Sequence, residues 1–164
     1  MVSVYVSYAW KEEEQNRLVD KLEQACPARG ITLQRDKRRI GYGDSIHQFM
    51  NEIGAAGHVV LVLSEAYFTS DYCMYELRRI YEKGDFGKRV SPIVLKGARF
   101  HKPIDRIRYL THWEKEIADL EKALAGLADP KNTQHIRSDL DGYAECLRLL
   151  DKLLDLLADM NTLT

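Results

Sequence analysis

Residues 59–77 read VVLVLSEAYFTSDYCMYEL, and the first five letters decide the fold. Val59–Leu63 has no polar alternation, the pattern of a strand covered on both faces within a parallel sheet. A half-exposed antiparallel strand would alternate apolar and polar residues instead. Farther on, Met74, Leu77, Ile80 and Tyr81 recur at helical spacing, so the stretch from Ser70 opens a helix with those residues inward. Tyr72 and Glu76 stand four apart on that helix and so share a face. Such a pair is either an ordinary surface contact or the working edge of an active site.

The segments on either side repeat the alternation. Val2–Tyr8 (VSVYVSY) is rich in β-branched and aromatic residues and reads as a strand. A helix follows over Lys11–Cys26, with Leu18, Leu22 and Ala25/Cys26 on one face and Pro27 and Gly30 past its end. Ile31–Gln34 is a short strand. After it comes the charged loop Asp36–Ser45, where Asp44 or Ser45 can cap a helix carrying Ile46, Phe49, Met50 and Ile53. Val90–Leu95 (VSPIVL) is another strand, whose proline suits a weakly paired start. The alternation predicts an α/β domain: an open parallel sheet of about five strands with helices on both faces.

The last third is helical. Trp113, Ile117, Leu120, Leu124 and Leu127 recur every three or four residues until Asp129-Pro130 stops them. Tyr143, Leu147, Leu150, Leu154 and Leu157 repeat the pattern. Each run is too short for a long coiled coil, so a helical hairpin is expected, its two stripes packed together and on the sheet.

Bulk composition removes several classes. A chain of 164 residues with 45% hydrophobic and 30% charged residues is globular, and its net charge of −1 asks for no nucleic acid or anionic membrane. Cys26, Cys73 and Cys146 form no CxxC pair and have no histidine close by, which speaks against a zinc site; their odd number speaks against a disulfide framework. The apolar run of MVSVYVSYAWKEEE is too short for a signal peptide, and no segment nears the roughly 18 apolar residues of a membrane span. A cytoplasmic location is expected, with no metal.

Several pieces together resemble the Toll/interleukin-1 receptor (TIR) family. They are the first strand ending in Ser7-Tyr8, then Asp36, Ile40 and Gly43 in the loop after the second strand, and finally VVLVLSEAYFTSDYCMYEL. The last resembles the TIR segment with a buried strand followed by Ser-x-aromatic-Cys-x-x-Glu, here Ser70, Tyr72, Cys73 and Glu76. The resemblance runs from Val2 to about Trp113, and SYAW with DYCMYEL is closest to the bacterial, NAD-cleaving type. It implies a flavodoxin-like TIR fold: one domain over 1–164, with a core to about 113 and a helical elaboration over 114–164. From the abrupt finish after a helix, a place at the N-terminus of a longer protein is expected.

By resemblance, the activity is cleavage of NAD between nicotinamide and ribose, with NAD as substrate and no cofactor. The chemistry suits a lone carboxylate. Nicotinamide leaves as a neutral ring, so no acid must protonate it, and a carboxylate can stabilise the ribosyl cation left behind. Most glycosidases need two carboxylates. The resemblance makes Glu76 the catalytic residue, taken to be partly exposed, with Tyr72 flanking the ribose. Tyr8 and Trp10 would wall the nucleotide pocket, and Ile40, Gly43 and Ser45 would contact substrate. Lys37, Arg38, Arg39 and Tyr42 would form an assembly loop for self-association with other TIR domains, in a bacterial immune or signalling system. A sensor or oligomerisation domain would follow.

Each residue has a plainer reading. Glu76 could be a salt-bridged surface glutamate with Arg78 or Arg79 as partner. Trp10 could serve packing or self-association, and the arginines of the loop could simply be solvated. Gly41-x-Gly43 alone is weak as a phosphate site. Ser7 reads as a strand-end residue binding backbone, and Cys73 as a small core residue. Two other functions stay open: a non-catalytic TIR–TIR interaction module, and a nucleoside hydrolase or transferase.

Overall fold

The computed structural model describes residues 2–11, 17–35 and 46–160. Its elements are β1 (Val2–Tyr8), α1 (Leu18–Ala25), β2 (Ile31–Gln34), α2 (Ile46–Ala55), β3 (Val59–Leu63), α3 (Glu65–Phe68), α4 (Asp71–Glu82), α5 (Phe86–Arg89), β4 (Val90–Val94), α6 (Pro103–Ala125) and α7 (Gln134–Asp159). Short 3-10 turns occupy Pro27–Arg29 and Pro130–Asn132. Two compact units result, one built on the chain up to Ala98 and the other on Arg99–Asp159.

In the first unit the strands form one sheet in the order β2-β1-β3-β4, every pair parallel. The fold class is the expected one; the described residues supply four strands rather than about five. Parallel neighbours need crossovers: α1 links β1 to β2, α2 links β2 to β3, and α3, α4 and α5 link β3 to β4. Pro92 is tolerated because β4 lies at the sheet edge, opposite Leu61 of β3.

Alternation along β1 sends its side chains to both faces. Val6 and Tyr8 join Leu33, Val62 and Val19 of α1 in one core cluster, with Val4, Leu18, Leu22 and Cys26 packed against it. Val19 is the deepest residue of α1, while Ala25 of the expected stripe is exposed. On the other face Tyr5 meets Phe49 of α2, with ring centroids 6.1 Å apart. Met50 and Ile53 of α2 and Met74, Leu77 and Ile80 of α4 complete the buried layer. Helices therefore cover both faces, and VVLVL lies inside as its pattern demands.

Two details bind α2 to α4. A Cβ placed on Gly54 would come within 2.7 Å of the Arg79 Cβ and 3.2 Å of its carbonyl carbon, so the backbones approach as only glycine permits. At the same helix ends Arg89 donates to the carbonyls of Ala56 (2.9 Å), Gly54, Ile80 (3.0 Å) and Gly84 (2.7 Å). One guanidinium thus collects the free carbonyls where both helices end, and its charge suits both helix dipoles.

In the second unit α6 and α7 pack on each other as a hairpin. Both begin well before the expected stripes, α6 at Pro103 with a proline in its first turn, where one is tolerated. Trp113 is fully buried and sits 5.4 Å from the Tyr143 ring. Arg106 reaches Asp155 of α7 at 3.3 Å and the Phe100 carbonyl at 2.8 Å. In α7, Cys146, Leu149, Leu150, Leu153, Leu154 and Leu157 are buried, a broader stripe than expected. Leu127 is exposed because α6 ends at Ala125, two residues earlier.

Candidate active site

The site begins with two serines. Ser64 directly follows β3 and its hydroxyl accepts from the Tyr67 amide at 3.1 Å, starting α3; Ser70 accepts from the Cys73 amide at 3.3 Å, starting α4. Both are N-caps whose side chains satisfy amides that the first helical turn leaves unpaired. These caps fix where Tyr67 and Glu76 enter the fold. Tyr67 has no exposed surface and Glu76 only 7%.

Glu76 accepts a short hydrogen bond from the hydroxyl of Ser7, the penultimate residue of β1. The same Ser7 oxygen lies 2.8 Å from the Tyr67 hydroxyl. Burial holds the Tyr67 phenol well above its ordinary titration range, its electrostatic interactions with Cys73 and Glu76 act the same way, and these outweigh the opposing hydrogen bond with Ser7, so it stays protonated. Ser7 binds side chains here, not backbone as expected. The surface reading of Glu76 fails as well, because the carboxylate is buried; Arg78 and Arg79 each also reach Glu82, at 3.6 and 3.4 Å. The view of Glu76 as partly exposed is corrected for the same reason.

The remaining expected residues divide. Tyr72 opens α4 with 55% of its surface exposed, so one helical turn separates an exposed ring from a buried carboxylate. Trp10, two residues past β1, is 40% exposed. Tyr8 is buried on the opposite face of the sheet from Ser7, within the α1 cluster. Its hydroxyl accepts from Arg35 Nε at 3.2 Å and Nη2 at 3.1 Å, and the guanidinium carbon lies 5.3 Å from the ring centroid. Ile40, Gly43, Ser45, Lys37, Arg38, Arg39 and Tyr42 lie outside the described residues. Cys73 is a buried core residue.

Arg35 is the residue that sequence reasoning missed. It has 2% of its surface exposed, pairs with Asp20 of α1 and stands 3.8 Å from Glu23. Burial alone would lower its titration, but the hydrogen bonds and charges of Asp20 and Tyr8 hold it above the ordinary arginine range, so it stays charged. Its only signal in the sequence is a charge directly after a strand. An open groove of about 580 Å³ lies in the second unit, lined by residues including Lys131, Arg137 and Asp141; none of the expected site residues borders it. Among the described residues no cluster of three or more His, Cys, Asp or Glu side chains could hold a metal ion. Nor is any helix among them long and apolar enough to cross a membrane.

The parallel sheet β2-β1-β3-β4, with a serine-bound glutamate near the carboxyl end of its first strand, defines the class as an open α/β domain with helices on both faces. Comparison narrows it: the TIR domain family matches residues 4–125, and the chain belongs to that family. The uncharacterized protein y4lF of Sinorhizobium fredii (strain NBRC 101917 / NGR234) is 30% identical over 104 residues, 62% of this chain. The chain spans about a third of that relative's length (32%). Among solved structures it is similar to the TIR domains of the activated Roq1 resistosome directly recognizing the pathogen effector XopQ. That match has 19% identity and a TM-score of 0.55, and covers 96% of this chain and 97% of that one. At that identity the likeness concerns the fold.

Proposed function

We propose that this TIR domain cleaves NAD at the nicotinamide–ribose bond, with Glu76 as the catalytic carboxylate. The observation that carries the reading is a glutamate drawn into the sheet by Ser7, one helical turn from the exposed ring of Tyr72. Trp10 follows β1 and Tyr72 opens the helix after β3, near the carboxyl ends of the strands, where open α/β sheets bind ligands.

In this mechanism Tyr72 and Trp10 bracket the nucleotide, and Glu76 faces the anomeric carbon. The C–N bond breaks with its electrons going to the pyridinium nitrogen, and neutral nicotinamide departs. The carboxylate offsets the positive charge growing on the ribose. Water captures the cation to give ADP-ribose, whereas a ring nitrogen of the same molecule would give a cyclic isomer. Self-association with other TIR domains would complete the pocket and switch it on, in a cytoplasmic immune or signalling setting. The greater length of the S. fredii relative is consistent with a sensor or oligomerisation domain working alongside.

A second reading has an observation in its favour. With only 7% of its surface exposed, Glu76 could brace β1 against α4 in a domain that merely recruits other TIR domains. Incubating concentrated protein with NAD, and separately with nucleosides, decides between them. Nicotinamide released from NAD by wild type but not by Glu76→Gln supports the glycohydrolase. Release of base from nucleosides alone would point to a nucleoside hydrolase, and release from neither to the recruitment module.

A further inference from the structure

We propose that Ser7 and Tyr67 are positioning residues for Glu76: a buried hydrogen-bond chain from Tyr67 through Ser7 to Glu76 fixes the orientation and ionisation of the carboxylate. The proposal rests on Glu76 being the carboxylate of the site and adds what holds it there.

The direction of the chain follows from counting protons. An ionised carboxylate only accepts, so the bond between Ser7 and Glu76 uses the one proton of the serine hydroxyl. The Ser7 oxygen can then only accept from Tyr67, 2.8 Å away. Tyr67 is fully buried, Ser7 is 1% exposed, and neither can exchange its partner for water. Three elements contribute one residue each: α3, β1 and α4. Because Ser64 and Ser70 cap the two helices, neither Tyr67 nor Glu76 can slide along its axis relative to Ser7.

The consequence is electrostatic and geometric. A donor aimed at the carboxylate favours its charged form, and a donor polarised by a second hydroxyl does so more strongly. The chain also selects one Glu76 rotamer, the alignment a reacting carbon needs. Among the described residues, the titratable groups on the surrounding elements include Tyr67 from α3 and Cys73 from α4; α2 contributes His47, which lies edge-on to Tyr75 of α4.

The test uses the folded protein with carbon-13 in its glutamate carboxyls, the Glu76 signal being assigned by its loss in Glu76→Gln. In Ser7→Ala the titration midpoint of Glu76 should rise by about one pH unit. Tyr67→Phe should raise it less, and the double variant should match Ser7→Ala, because Tyr67 acts only through Ser7. Ser7→Thr, which keeps the hydroxyl, should restore the wild-type midpoint. For NAD cleavage, Ser7→Ala should lower kcat roughly 10- to 100-fold and leave KM within about 2-fold.

An unchanged midpoint in folded Ser7→Ala overturns the proposal. Should that variant not fold, an unchanged midpoint in Tyr67→Phe overturns it. If the midpoints move as stated but wild type releases no nicotinamide, the positioning chain stands and the glycohydrolase reading falls.

Discussion

A carboxylate that accepts a buried hydroxyl cannot be replaced as freely as one on a solvated helix face. Glu76→Gln keeps an acceptor for Ser7 and should leave the fold intact while removing NAD cleavage, read as nicotinamide release. Glu76→Ala strands the Ser7 hydroxyl and should lower unfolding stability by about 1–3 kcal/mol, measured by urea denaturation. Tyr67 gives a pH prediction. Its folded titration lies above that of an unfolded tyrosine, near 10, so its contribution is complete below about pH 10. It is lost above that pH, as the unfolded chain sheds a proton the native state keeps. Phenolate absorbance of wild type and Tyr67→Phe should therefore coincide until alkaline unfolding, then differ by one tyrosine. Glu76 could be singled out from sequence because its motif is local. Ser7 and Arg35 could not: Ser7 meets a partner 69 residues away, and Arg35 a partner 15 residues back. Only the folded sheet brings them together.

Helices and strands were readable where their periodicity was strong. VVLVL and the apolar row of α4 lie where their patterns put them, since burial on both faces leaves one consistent arrangement. The stripe of α1 packs on the core through Leu18, Leu22 and Cys26, and only Val19 escaped it, because Leu18 and Val19 are adjacent and either could head an apolar row. No periodicity reports how closely two helices approach, so Gly54 gave no warning. Gly54→Ala would press a methyl on Arg79, including its backbone, which a change of rotamer cannot relieve. It should cost about 1–3 kcal/mol despite the better helix propensity of alanine, seen as a lower melting temperature. In the hairpin, Leu150 has no exposed surface. Leu150→Asp should cost several kcal/mol and reduce solubility. A folded variant that merely changed from dimer to monomer would instead make α7 an interface.

Across the whole chain, the TIR match ends at Ala125, where α6 ends, and leaves α7 outside it. A chain cut there would keep Trp113 and lose the Tyr143 ring beside it. It should express poorly or aggregate, although it retains every residue of the family match. Control by self-association predicts that NAD cleavage per molecule rises with concentration. A flat dilution series with an unchanging monomer by size-exclusion chromatography would exclude it. Arg89 carries a last consequence. Its guanidinium joins carbonyls of Gly54 and Ala56 to those of Ile80 and Gly84, so the ends of α2 and α4 cannot fray separately without breaking a shared clasp. Amide protons in the last turns of both helices should therefore exchange with deuterium as one cooperative unit, at a common opening free energy. Arg89→Ala should split that unit in two, each helix end exchanging at its own rate.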